Sequence, residues 1–378
     1  MTPKERILTA FRGEQPDRVP VSPELWDVIP IRVSGRPWYE LSATSFGRIP
    51  LWRAQLEAYR HFGCEAWVPV EPGPSNRQAG LVEARSAFQG EELIRTDLAY
   101  RTSRGELTAV KLSCFDYDLW NRTAPVKVLE RDLPLLEEYF FENPADLDYE
   151  PIRSAWEATA DDGICEGIVG NTFFEFLALH REGGAVQAIL DLHDHPDYLR
   201  AVQARYAAYA ADLAEAICDR TAVEGLFLNC GSSSLNIVSP RLFAEWDLPV
   251  VRAVAEVAHR RDRIFHYHLH GKGRALLEKL VEAGVTMICP LESPPKGDFV
   301  LREVKERFGG RLALKGGIDP FRLRDGSDAE LEAQVRRSLE EAAPGGGYTL
   351  ATGDGVLKDT SFDRIHRLVE LARRHGAY

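Results

Sequence analysis

The sequence has no apolar run approaching the ~20 residues of a membrane span, no CxxC pair, no basic run, no internal repeat and no low-complexity tract. Each absence excludes something. Without a long apolar run, no membrane helix is expected. The six cysteines, at positions 64, 114, 165, 218, 230 and 289, are scattered and unpaired in spacing, which argues against a disulfide framework and for reduced thiols. A net charge of −12, with no basic-aromatic interleaving to offset it, argues against a nucleic-acid partner. The N-terminal residues 1–21 are charged and helix-patterned and lack the apolar core of a signal peptide, so a cytoplasmic protein is expected.

What is present is a recurrence of β-branched, apolar runs. They fall at Val19–Glu24, Ala66–Val70, Ile164–Gly170, Gly225–Asn229, Ile264–His270, Thr286–Pro290, Leu312–Gly317 and Tyr348–Thr352. Helical patterns are clearest at Pro240–Arg260, Gly273–Ala283, Asp328–Ala342 and Ser361–His375. Strand and helix in alternation imply a parallel sheet, and eight such strands imply a closed (β/α)8 TIM barrel of α/β class. The 378 residues are then one barrel domain. One stretch departs from the alternation: within an insertion at about 72–150, Ser86–Cys114 alternates polar and apolar residues around the turn Ser103-Arg104-Gly105, as an antiparallel meander would.

In such a barrel the chemistry collects at the strand C-termini. The residues there include Glu24, Trp26, Asn171, Asn229, Ser232, Glu292, Asp319 and Asp354. Polar residues border solvent at any strand end, so no one of them is informative alone. The run Arg263-Ile264-Phe265-His266-Tyr267-His268-Leu269-His270-Gly271 is different. Period-two alternation puts His266, His268 and His270 on one face and Phe265, Tyr267 and Leu269 on the other. The apolar set should pack outward on helices, leaving three histidines inside, where unsatisfied polar groups are costly. His268 and His270 near the strand end could share a metal ion, with Gly271 letting the chain turn away and His266 lying deeper. With Glu292 and Asp354 they form a donor set for Zn²⁺ foremost, or for Fe²⁺ or Mn²⁺.

Beyond these, Asn171 and Glu175 follow the third strand at the start of a helix, and Asn229 with Ser232 follows the fourth. Asn171, Asn229, His266 and Lys315 are candidate catalytic groups; Glu24, Trp26, Glu175 and Ser232 are candidate substrate contacts. Asn171 could equally cap its helix, and Ser232 could belong to an ordinary turn. Lys315 could be a cation for an anionic substrate or, less simply, a Schiff-base amine. His193 and His195 form another H-x-H pair, but in a polar turn expected at the surface.

The sequence also resembles the uroporphyrinogen decarboxylase superfamily. The resemblance rests on Thr2-Pro3-Lys4-Glu5-Arg6 with Ile7, Ala10 and Phe11, on Asp17-Arg18-Val19-Pro20, and on Ser239-Pro240 with Phe243. It continues through His268-Leu269-His270-Gly271 with Leu280 to Gly284, then Gly316-Gly317-Ile318-Asp319 and Gly345-Gly346-Gly347-Tyr348. It implies a (β/α)8 barrel. The decarboxylase signature Arg-Gln-Ala-Gly-Arg is replaced after the first strand by Pro23-Glu24-Leu25-Trp26-Asp27, and the near match Arg77 to Leu81 lies in the insertion. The chain is thus nearer the corrinoid-dependent methyltransferase branch. Laid on this sequence, that branch's zinc ligands and those of the related methionine synthase fall on His268, His270, Glu292 and Asp354. Both thiolate positions have become His or Asp, which makes a harder, more Lewis-acidic centre and argues against methyl transfer to a thiol.

The expected activity is that of a metal-dependent methyltransferase or demethylase acting on a small molecule, with a corrinoid protein as a possible methyl acceptor. A decarboxylase or lyase using histidine acid–base chemistry is the alternative, and a non-catalytic tetrapyrrole- or corrinoid-binding protein a third. A homodimer would be in keeping with the general preference for two-fold assemblies.

Overall fold

The computed structural model describes residues 1–41, 49–115 and 117–378. Among the described residues, eleven strands form two sheets: β1 (Ala66–Val70), β2 (Val82–Phe88), β3 (Leu93–Thr102), β4 (Gly105–Cys114), β5 (Tyr117–Thr123), β6 (Gly163–Asn171), β7 (Gly225–Cys230), β8 (Ile264–Leu269), β9 (Met287–Leu291), β10 (Ala313–Ile318) and β11 (Tyr348–Thr352). Seven of them make a curled parallel sheet in the order β1-β6-β7-β8-β9-β10-β11, and β2 to β5 make an antiparallel meander. The sheet strands are buried along nearly their whole length, as expected of parallel strands covered by helices on one face and by their own side chains on the other.

The helices between the strands start where the local chemistry supplies a cap. Ser327 and Glu330 form a capping box at the start of Asp328–Ala342, and Ser361 accepts from the Arg364 amide ahead of Phe362–His375. Two expected helices are divided. Pro240–Arg260 breaks at Asp247 into Pro240–Trp246 and Leu248–Arg260, because Pro249 has no amide hydrogen to continue the ladder. Gly273–Ala283 becomes a 3₁₀ turn, Arg274–Leu276, followed by Leu277–Glu282.

The expected first strand, Val19–Glu24, is corrected. The segment lies between the two edges of the parallel sheet but forms no ladder: it has one parallel bridge, Val21 to Leu350. Ser22 N donates to Leu350 O at 2.9 Å, Leu350 N to Pro20 O at 2.9 Å, and Glu65 N to Val21 O at 3.1 Å. Pro20 and Pro23 each remove a donor, which explains extended backbone without regular pairing. The sheet therefore has seven strands, with this segment spanning the gap. The meander is also longer than expected, having four strands from Val82 to Thr123.

Glu65 anchors the spanning segment. It is 1% exposed and accepts from Val21 N (2.9 Å), Arg6 Nη1 (2.8 Å) and Arg18 Nη2 (2.8 Å). Truncating it would take away the buried acceptor that joins Val21, Arg6 and Arg18, leaving Arg18 without the carboxylate it bonds while Arg6 keeps Asp17. Glu65→Ala is expected to lower stability by about 3 kcal/mol, read as an earlier urea-unfolding midpoint; an unchanged midpoint would show that the segment is held by other contacts.

Candidate active site

Because the seven strands are parallel, their C-terminal ends share one rim. Asn171 and Cys230 end β6 and β7; His270, Glu292 and Asp319 directly follow β8, β9 and β10; Asp354 lies two residues past β11. On β8, His266 and His268 are buried and His270 is partly exposed, while Phe265, Tyr267 and Leu269 are fully buried on the opposite face.

The histidines separate into two levels. His266 is deep: its Nδ1 lies 2.7 Å from Glu166 Oε2, which also accepts from Trp67 Nε1 at 2.6 Å. Above it, His268 and His270 face each other, with their Nε2 atoms 2.7 Å apart. His270 Nδ1 donates to Glu292 Oε1 at 2.9 Å and is 3.7 Å from Asp354 Oδ1. His268 Nδ1 lies 3.0 Å from Cys289 Sγ. Since Nδ1 of His270 carries the proton given to the carboxylate, its Nε2 is a lone pair when the ring is neutral. His268 then donates through Nε2, and its own Nδ1 accepts from the Cys289 thiol.

Burial, followed by the neighbouring His270, His266 and Lys315, pushes the His268 pKa well below the usual histidine value, so this ring is neutral at physiological pH. Glu292 is held below the usual carboxylate range: burial acts against ionisation, but His270, the Gly271 amide and Lys296 outweigh it. Gly271 makes this possible. Its left-handed backbone (φ +69°) turns the chain after His270, its amide donates to Glu292 Oε1 at 3.0 Å, and a Cβ there would sit 2.9 Å from Asn236 Oδ1.

This donor set suits a first-row dication. The ligand atoms of His270, Glu292 and Asp354 lie within 4.8 Å of one another. Glu292 Oε2 is buried without a hydrogen-bond partner, the kind of orphan that an ion would satisfy. For His268 to join through Nε2, it must change tautomer and donate from Nδ1 to the Cys289 sulfur; a thiol can donate or accept, so both tautomers are supported. A second trio, Glu24, His268 and Cys289, is equally close. Its carboxylate, however, is already bonded to the Lys315 ammonium, which disfavours a further cation.

The remaining expected site residues fall into pairs. Trp26 packs edge-on against His268, with centroids 5.6 Å apart, and against Trp67 at 5.2 Å. Glu24 and Lys315 are bonded to each other and essentially unexposed, so neither offers its charged end to the rim. Asn229 Nδ2 donates to Asn171 Oδ1 at 2.9 Å. Buried Glu175 accepts from the Ser232 amide. His193 and His195 are exposed, as expected.

Three functional candidates were missed by sequence reasoning. Cys289 pairs in register with His268 across β8 and β9, so the alternation that grouped the histidines could have found it. Glu166 is an acidic residue inside an apolar strand, a signal in its own right. Lys296, which bonds Asp354, sits in a loop and left no pattern.

Rim and sheet together define a class: an α/β protein with a polar, partly buried imidazole–carboxylate site at the C-terminal end of a curled parallel sheet. Comparison with known proteins is consistent with that class. The uroporphyrinogen decarboxylase (URO-D) family model matches residues 176–375, and the chain belongs to this family. A uroporphyrinogen decarboxylase of Xanthomonas campestris is 28% identical over 142 residues, covering 35% of this chain and 38% of the relative; one from Cupriavidus necator is 39% identical over 79 residues, covering 20% and 22%. The matched stretch thus spans well under half the length of these relatives. A solved methyltransferase from Methanosarcina mazei aligns over 99% of both chains with a TM-score of 0.64 and 18% identity, a likeness of fold. The near-signature at Arg77 is structural in this chain: Arg77 Nε donates to Glu142 at 2.7 Å, and Gln78 completes a capping box with Ser75. Among the described residues, no helix is long and apolar enough to cross a membrane.

One buried acid behind the rim makes a pH prediction. Asp247 Oδ1 accepts from the Phe174 amide at 2.7 Å, at the start of the helix carrying Glu175. Burial pushes its pKa up to about 7, against hydrogen bonds from Phe174, Ser233 and Thr172 that pull it down. The folded chain therefore keeps a proton that the unfolded chain has already released. Between the ordinary carboxylate pKa and about 7 the folded state binds more protons, so this residue's contribution to stability falls as pH rises. Asp247→Asn should flatten the pH dependence of the melting temperature between about pH 4 and pH 7; an unaltered slope would contradict the assignment.

Proposed function

We propose that this protein is a metal-dependent enzyme, a methyltransferase or demethylase of a small molecule, with a corrinoid protein as methyl acceptor. In this reading the whole chain is one cytoplasmic (β/α)8-type barrel domain, with the extended, unladdered segment Val19–Glu24 standing in the place of its first strand and an insertion at about 72–150. The observation that carries the proposal is the pair of facing imidazoles, His268 and His270, with Glu292 presenting a buried, unpartnered oxygen beside them.

His268, His270, Glu292 and Asp354 would hold the ion. Bound there, a dication supplies Lewis acidity, polarising an oxygen of the substrate and stabilising negative charge as a methyl group leaves. The chain's own residues do the rest. His268 is kept neutral by burial, the state in which an imidazole can ligate. Glu292 orients the His270 ring through Nδ1. Trp26, half-buried and edge-on to His268, walls the site on one side. The Asn171–Asn229 pair at the ends of adjacent strands offers amide groups to orient a polar substrate group. The absence of thiolates at the two carried-over ligand positions fits transfer from an oxygen-bound methyl group better than transfer to a thiol.

A second reading has its own support. The hydrogen-bonded row Cys289–His268–His270–Glu292 could pass a proton without a metal, as a decarboxylase or lyase would need. The low His268 pKa counts against it, because a ring that stays neutral is a weak acid.

Elemental analysis of purified wild type, His268→Ala and Asp354→Ala decides between them. About one equivalent of zinc, iron or manganese in wild type, reduced at least tenfold in both variants, is the expected outcome. Well-folded wild type that takes up no transition metal on reconstitution would overturn the metal reading and favour the proton row.

A further inference from the structure

We propose that Lys296 sets the metal affinity of this site by competing with the ion for Glu292 and Asp354; the inference rests on the metal reading above. The Lys296 ammonium is bonded to Asp354 Oδ2 and stands 3.7 Å from Glu292 Oε2. It therefore lies between two of the carboxylates assigned to the ion, beside the one buried oxygen there that has no hydrogen-bond partner.

The charges explain why a cation belongs in this place. Glu292 is 2% exposed and Asp354 partly buried, and both face His270. Two carboxylates held together with little water repel each other unless a positive charge lies between them. In the metal-free protein Lys296 is that charge. It is a replaceable one: its side chain is 48% exposed, on the loop between β9 and the helix Leu301–Phe308. A single ammonium on a flexible stem can swing into solvent without disturbing packed neighbours. A dication bound also by imidazole outcompetes it, but only after the Lys296 ion pair is broken, so the lysine weakens metal binding by the free energy of that pair. The same residue keeps the empty site from flying apart and makes it refuse weakly bound ions.

The test compares the full chain as wild type, Lys296→Met and His270→Ala, each stripped with chelator and titrated with Zn²⁺ against a chromophoric competitor. Lys296→Met is expected to bind Zn²⁺ about tenfold more tightly than wild type, the value of one charge-assisted contact. Its metal-free melting temperature should be lower than that of wild type, and its rise on adding Zn²⁺ larger. Equal or weaker Zn²⁺ affinity in Lys296→Met, alongside loss of binding in His270→Ala, would overturn the competition while leaving the metal site standing. No Zn²⁺ binding by wild type, or wild-type affinity in His270→Ala, would instead overturn the metal reading and the competition with it.

Discussion

A row of four side chains, Cys289, His268, His270 and Glu292, organises the rim of this protein, and it exists because two adjacent strands deliver them in register. β8 places two imidazoles on one face, β9 brings Cys289 beside the first, and the residue following β9 brings Glu292 beside the second. The row has a direction: from the Cys289 thiol, through the neutral His268 ring and then His270, to the Glu292 carboxylate. Removing any one leaves a buried group without its partner, and such groups are costly in a low-dielectric interior.

The row is held by close backbone approach. Gly316 and Gly317 on β10 both have positive φ, and a Cβ at Gly316 would lie 2.5 Å from Leu291 N. Gly316 lets β10 press against the end of β9, directly before Glu292, while Gly317 lets it approach Tyr348 and Leu301. Below the rim, Glu166 Oε2 bonds His266 Nδ1 and Trp67 Nε1, and Glu24 bonds Lys315, while His266 Nε2, Glu166 Oε1 and Glu24 Oε2 have no hydrogen-bond partner. Unpartnered polar atoms therefore occur at both levels, and what sets the rim apart is that His270 and Asp354 are partly exposed.

Much of this was legible in the sequence. β1 and β11, the helix Asp328–Ala342 and the grouping of His268 with His270 follow from periodicity and caps alone. The strand expected at Val19–Glu24 failed because its hydrophobic pattern was read without weighing Pro20 and Pro23, which remove the donors that a ladder needs. Lys315 and Glu24 were each assigned to the rim from their positions, whereas each is the other's counter-ion; pairing across 291 residues has no local signature. Lys296 was invisible for a related reason: nothing on a loop announces which carboxylate its flexible stem will reach.

The central claim is that the rim binds a dication through imidazole nitrogen and carboxylate oxygen, with Cys289 acting on His268 and not on the ion. X-ray absorption at the zinc edge of the reconstituted protein tests this most directly. The account predicts a first shell of nitrogen and oxygen alone, at about 2.0–2.2 Å, with imidazole scattering behind it. A sulfur neighbour at about 2.3 Å would contradict it, moving the ion to the Cys289 side of His268 and restoring the soft chemistry that the ligand set argues against.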